Sequence, residues 1–203
     1  MGVDKSLVRL ADRPLVQHAI EILRTAGLDP KIAGARAELS SFAQIISDEP
    51  KQLGLGPLAG ICSALPTGTR RFAVFLPIDL PLIPPDLIKY LVHHATVSGS
   101  AITVVSVAAF IQTFPVVIDR AALPALQRSL ASGDRNCLRA FQSSASAIGR
   151  PFTTLPVESI VQPGLVHHPW GLIVGQWFLN INSPQDLLVA EAVFARAHGK
   201  LVK

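Results

Sequence analysis

Three stretches of this sequence carry residues whose type and spacing could do chemistry. The first is Leu76-Pro77-Ile78-Asp79-Leu80-Pro81, in which a carboxylate follows an apolar run by two residues. Pro77 and Pro81 hold the local backbone extended and set where Asp79 points, so Asp79 is either a turn residue or a ligand for a divalent cation. The second is Gly54-Leu55-Gly56-Pro57-Leu58-Ala59-Gly60. Its glycines permit close approach to a ligand, and N–H groups at a helix start suit an anion or a base edge, although any loop-to-helix turn can look the same. The third is Asn180-Ile181-Asn182-Ser183-Pro184, where alternation puts both carboxamides on one face and Ile181 on the other. Helix capping accounts for Asn182 or Ser183 but leaves Asn180 unexplained. Lys5, taken alone, reads as a solvated lysine near a terminus. No Ser/His/Asp or Cys/His constellation is present. The adjacent pair His167-His168 reads as loop polarity, because neighbouring histidines seldom converge on one ion.

The elements that must position these residues follow from periodicity and punctuation. Asp12 is expected to cap a helix carrying Leu15, Ala19, Ile22 and Leu23 to a stop near Gly27. Strands are predicted at 31–33, 43–46, 72–76, 101–107, 114–118, 152–155 and 177–181. Helices are predicted after Gly56-Pro57, from Pro84-Pro85-Asp86, at 121–132 and 135–143, and from Ser183 to about His198. Region 158–176 reads as a loop over one end of the sheet. Strand–helix alternation at this spacing argues for an α/β fold, a mostly parallel sheet with helices on both faces, in one domain spanning 1–203. In such sheets ligands gather at the carboxyl ends of strands, where Asp79 is expected.

Composition narrows the choices. Of 203 residues, 49% are hydrophobic and only 16% charged, so the chain can bury a core and disorder is excluded. The net charge of +4 suits an anionic partner such as a nucleotide, but the basic residues are scattered and no run exceeds Arg70-Arg71, so nucleic acid is not expected. Cys62 and Cys137 read as small buried hydrophobes. The uncharged stretch 95–118 is interrupted by polar residues and has a β-branched centre, which favours two buried strands over a membrane span. With no signal peptide after Met1, a reducing cytoplasm is expected.

Taken in order, four segments resemble the molybdenum cofactor guanylyltransferases, the MobA-type enzymes. They are Met1-Gly2-Val3-Asp4-Lys5 with Pro14-Leu15 and His18, Gly56-Pro57-Leu58-Ala59-Gly60-Ile61, Pro77 to Pro81 with Pro84 to Leu87, and Asn180 to Leu187. The resemblance implies a Rossmann-like, GT-A-like three-layer fold and transfer of GMP from GTP to molybdopterin, with pyrophosphate released and Mg²⁺ required. It implies that Lys5 contacts the triphosphate and that Asp79 holds Mg²⁺. Gly56, Pro57, Leu58 and Gly60 would line the guanine side, and Asn180 and Asn182 would face the reacting phosphates or the acceptor. Gly34 and Asp48 would contact the nucleotide, Gly34 through its main chain. Transient contact with cofactor-assembly proteins or acceptor enzymes is a further implication.

Two departures stand beside the resemblance. The family begins with a strand and a Leu-Ala-Gly-Gly-type loop ending in Arg-Met-Gly, and this sequence starts at that Met. The expectation is therefore a chain without its first strand and phosphate loop, through a misplaced start or a truncated gene. Val107 to Gln112 is also apolar where family members carry polar residues toward the acceptor. The competing readings are a transferase for another nucleotide or acceptor, and a noncatalytic nucleotide-binding paralogue.

Overall fold

The computed structural model describes residues 5–34, 37–47 and 54–199. In chain order the elements are β1 (Arg9–Leu10), β2 (Arg13–Pro14), α1 (Leu15–Thr25), β3 (Lys31–Ala33) and β4 (Gln44–Ile46). Then come α2 (Pro57–Ala64), β5 (Phe72–Phe75), α3 (Pro85–Ser98), β6 (Ile102–Val107) and β7 (Phe110–Asp119). The last are α4 (Leu123–Ala131), α5 (Cys137–Ala147), β8 (Phe152–Pro156), α6 (Val157–Val161), α7 (Val174–Trp177) and α8 (Pro184–Gly199). They fall into two compact units, one made of Met1–Asp29, Leu76–Tyr90 and Val157–Lys203, the other of Pro30–Phe75 and Leu91–Pro156.

In the first unit, β1 and β2 form a two-residue hairpin that the sequence reading missed. Ala11 (φ 48°) and Asp12 (φ 62°) occupy its turn, both in the left-handed region that a tight hairpin demands. Asp12 is thus a turn residue rather than the expected helix cap, and α1 begins instead after Pro14, whose side chain makes no capping bond. The predicted stop holds, because α1 ends at Thr25 and Gly27 follows at φ 81°. Helix α1 buries Leu15, Val16, His18, Ala19, Ile20 and Ile22. Leu10, Leu15, Leu82, Ile181, Ala190, Val193 and Phe194 form the core of this unit.

The second unit holds a parallel pair, β3 with β4, and a four-stranded sheet in the order β5-β7-β6-β8. β6 pairs with β8 in parallel, while β7 runs antiparallel to both β5 and β6. Three of the four strands therefore share one direction, as expected of a mostly parallel sheet, but the hydrogen-bonded pairs across β7 are reversed. The cause is local. β6 and β7 are joined by a tight turn at Ala108 (φ 48°) and Ala109 (φ 67°), and a two-residue link can only reverse the chain. β7 accordingly starts at Phe110, four residues before the predicted strand. The uncharged stretch 95–118 becomes the end of α3 followed by these two strands. No helix among the described residues is long and apolar enough to cross a membrane.

Residues 102–106 of β6 are buried on both faces. With Leu58, Ile61, Val116, Ile118, Leu126, Ala140 and Phe141, Ile102 and Val104 build the core of the second unit. Cys62 and Cys137 lie in that core as expected, and burial, with Cys137 nearby, pushes the Cys62 thiol up to about 11. At the end of β7 the buried carboxylate of Asp119 accepts hydrogen bonds from Ala121 N at 2.8 Å and from Arg71 Nε and Arg150 Nη1, each at 2.7 Å. The Arg150 guanidinium also donates to the carbonyls of Gly99 and Ser100. One carboxylate thereby ties the entry to β5, the approach to β6 and the entry to β8. Burial works against its charge, yet these donors outweigh burial and hold the Asp119 carboxyl below the ordinary carboxylate range.

Two late expectations are corrected. Residues 177–181 do not form a strand. Trp177 closes the short helix α7, its ring fully buried and its Nε1 donating to Leu172 O at 2.8 Å, so an aromatic-rich segment taken for a strand is anchored by its indole. The region 158–176 is also less irregular than expected, since α6 and the start of α7 lie within or beside it.

Candidate functional site

Asp79 stands in a turn just past β5, with Leu80 N donating to Pro77 O at 3.5 Å. Beyond it, Leu80 to Pro84 are buried, so the segment is anchored on its far side and leaves the Asp79 side chain at the rim, 22% exposed. The Asp79 carbonyl accepts a hydrogen bond from Ile181 N at 3.0 Å. That single main-chain bond brings the asparagine segment alongside the carboxylate. Ile181 is fully buried while Asn180 and Asn182 are exposed, so the alternation read from the sequence holds without a regular strand.

Lys5 completes the cluster. Its Nζ donates to Asp79 Oδ2 at 2.8 Å and to Asn182 Oδ1 at 2.6 Å. An ammonium has three protons, and these two bonds leave one for another acceptor. The solvated lysine expected from the residue alone is thus a bonded one. Asn180 is exposed and makes no side-chain hydrogen bond among the described residues.

The helix that follows divides the labour between capping and chemistry. Ser183 Oγ and Asp186 bond reciprocally, Ser183 Oγ donating to Asp186 Oδ2 at 2.8 Å and accepting from Asp186 N at 3.2 Å. Asp186 Oδ2 also accepts from the main-chain N–H groups of Asn182 and Ser183. Ser183 is therefore the cap of α8, with Pro184 in the first helical position. The side chain of Asn182 is released from that duty and turns to Lys5. The Ser183 hydroxyl, helped by the neighbouring N–H groups and by the charge of Lys5, holds the Asp186 carboxyl below its usual range.

A supporting residue was missed. His168 is buried, with Nε2 donating to Leu82 O at 3.1 Å and Nδ1 accepting from Trp170 N at 3.1 Å. It lies against the rings of Trp170 and Trp177. Only His167 of the pair is loop polarity, and His168 pins the segment three residues beyond Asp79. Burial lowers its pKa and keeps the ring neutral. The signal available in the sequence was the pair of tryptophans that follow it.

The remaining predicted residues belong to the second unit. Gly56 (φ 83°) precedes α2, and a Cβ there would meet nothing within 4 Å, so the backbone angle and not space calls for glycine. Pro57 takes the first helical position, Gly56 and Pro57 are exposed, and Gly60 is half-buried. The Leu58 side chain is in the core, which leaves its main chain as the part that could meet a ligand. Gly34 (φ 127°) ends β3 with its N–H bonded to Ile46 O at 2.9 Å. Asp48 lies outside the described residues.

In fold this is an α/β domain of the Rossmann-like nucleotidyltransferase kind. A crystal structure of molybdopterin-guanine dinucleotide biosynthesis protein A from Archaeoglobus fulgidus matches 96% of this chain and 92% of its own, with a TM-score of 0.74 at 22% identity. Residues 1–147 match the family model of the MobA-like NTP transferase domain, and the chain belongs to that family. A molybdenum cofactor guanylyltransferase of Pseudomonas putida is 30% identical over 146 residues, 71% of this chain and 76% of that protein. One from Aliivibrio fischeri is 26% identical over 188 residues, 92% of this chain and 86% of that protein.

Proposed function

We propose that this chain transfers GMP from GTP to molybdopterin, forming the guanine dinucleotide form of the cofactor and releasing pyrophosphate. Its family and the names of its relatives support the reaction class, and the observation that carries the assignment to residues is the contact of Lys5 Nζ with both Asp79 and Asn182. In the reaction an oxygen of the acceptor phosphate forms a bond to the α-phosphorus of GTP. The bond to the bridging oxygen of the β-phosphate breaks, and that oxygen leaves with the electron pair. The attacking oxygen is already anionic, so no protein base is required, and catalysis rests on positioning and charge.

The donor set fits Mg²⁺. Asp79 and Asn182 offer hard oxygen atoms, and the Lys5 ammonium beside them shows that the corner accommodates positive charge. Mg²⁺ is commonly held by one or two carboxylates together with substrate phosphates, and Asp79 would be the carboxylate here. Bound at Asp79, Mg²⁺ would offset charge on the phosphates. Lys5 supplies positive charge to the triphosphate, Asn182 offers a carboxamide oxygen beside Asp79, and Asn180 presents an uncommitted carboxamide to phosphate or acceptor.

The test is pyrophosphate release from GTP in the presence of molybdopterin and Mg²⁺. Asp79→Ala is expected to abolish it, and turnover equal to that of the unaltered chain removes Asp79 from the mechanism. GTP is expected to be preferred to CTP, and equal use of both hands the assignment to a transferase of different nucleotide specificity.

A further inference from the structure

The Lys5 ammonium bridges Asp79 and Asn182, two residues whose oxygens would otherwise be open to an ion. Its nitrogen is 2.8 Å from Asp79 Oδ2 and 2.6 Å from Asn182 Oδ1, two oxygens supplied by distant parts of the chain. Both are hard donors that bind an ammonium and a small divalent ion alike. They cannot serve both at once at full strength. A divalent ion seated on the same oxygens would stand within a few ångströms of a positive nitrogen, and at that range like charges repel strongly. Lys5 can leave. Its side chain is 32% exposed and its stem is flexible.

From this we infer that Lys5 is a resident counter-cation that keeps Asp79 occupied until nucleotide arrives, so that a divalent ion reaches Asp79 only by displacing it. The inference rests on the reading of Asp79 as a metal ligand. It adds an order of events. In the protein without nucleotide, Lys5 competes with the metal and keeps its affinity low. A triphosphate offers the ammonium a more highly charged acceptor, Lys5 moves to it, and Asp79 is freed for the ion. Metal and nucleotide then bind with positive coupling, because each favours the arrangement in which Lys5 has left the carboxylate. Asp186 is no substitute resting place, because its Oδ2 is already committed to Ser183 and to the main chain of Asn182.

The experiment is a titration of this chain with Mn²⁺ alone, without nucleotide, following free Mn²⁺ by electron paramagnetic resonance. The variants are Lys5→Met, Lys5→Gln, Lys5→Arg and Asp79→Asn. Losing a part-exposed ion pair and a nearby positive charge should tighten Mn²⁺ binding roughly five- to tenfold in Lys5→Met and Lys5→Gln. Lys5→Arg should keep the weak affinity of the unaltered chain, and Asp79→Asn should bind least. Equal or weaker binding by both uncharged variants, with binding still lost in Asp79→Asn, overturns the counter-cation and leaves the metal site standing. Binding by Asp79→Asn equal to that of the unaltered chain removes the metal site and the inference with it.

Discussion

Asp119→Ala tests what holds the second unit together. The Asp119 side chain is only 3% exposed and accepts from Ala121 N, Arg71 Nε and Arg150 Nη1. Arg71 is 56% exposed, so its bond contributes little once water competes, whereas Arg150 is 24% exposed and is left with an unneutralised charge when the carboxylate goes. Removing one partner of a buried pair costs about 3–5 kcal/mol, and the exposed second arginine argues for the lower end, about 3 kcal/mol. For a chain of this length that lowers Tm by about 6–12 °C at pH 7. Asp119→Asn keeps one acceptor oxygen and should fall between. The pH dependence has a definite sign. Because the folded carboxyl lies below its usual range, its stabilisation is complete above the unfolded value near ~3.9 and is lost as pH falls through the folded value. The acid side of a stability profile below about pH 4 should therefore be shallower in Asp119→Asn. Thermal melts followed by circular dichroism read both effects. If Asp119→Ala melts within about 2 °C of the unaltered chain, the carboxylate is not the tie described.

Three further predictions follow from single contacts. Asp186→Ala removes the acceptor shared by Ser183 and Asn182 and should cost about 1 kcal/mol, seen as a Tm lower by about 2–4 °C; an unchanged Tm would show that the α8 cap is redundant. Ala109→Gly relieves a left-handed alanine at φ 67° and should raise stability by up to about 1 kcal/mol in urea unfolding, while a lower midpoint would contradict the turn assignment. His168→Leu leaves Leu82 O and Trp170 N without their partner and should cost about 2 kcal/mol, whereas His168→Gln, able to donate to Leu82 O, should lose less. Because burial lowers the His168 pKa, its contribution is complete above about 6.5 and erodes as pH falls. Urea midpoints at pH 7 and 5.5 should therefore differ less in His168→Gln.

What the sequence made legible was set by local rules. The exposed place of Asp79 past a strand was legible because prolines on both sides and an apolar strand before it are local signals, and the shared side of Asn180 and Asn182 because alternation needs only neighbours. The α8 cap was legible for the same reason. The hairpin at Ala108-Ala109 was not, since alanine carries none of the turn chemistry that glycine or asparagine would, and the reversal of β7 depends on that turn. Asp12 was misread because an aspartate before an arginine and a proline suits a cap as well as a left-handed turn. The bonded state of Lys5 depends on a contact spanning 177 positions, which no spacing rule reaches. His168 was misread because burial is decided by what packs on it, here Trp170 and Trp177.

The bond from Ile181 N to Asp79 O and the reach of Lys5 to Asn182 join segments far apart in the sequence. On the ribosome, where the chain emerges from its N-terminal end, Lys5 and Asp79 are available long before Asn182. Most of the second unit can fold in that interval from residues already made. The cluster of Lys5, Asp79 and Asn182, by contrast, can close only once Asn182 has left the exit tunnel. A nascent form ending before Asn182 has Lys5 and Asp79 without the third member of the cluster.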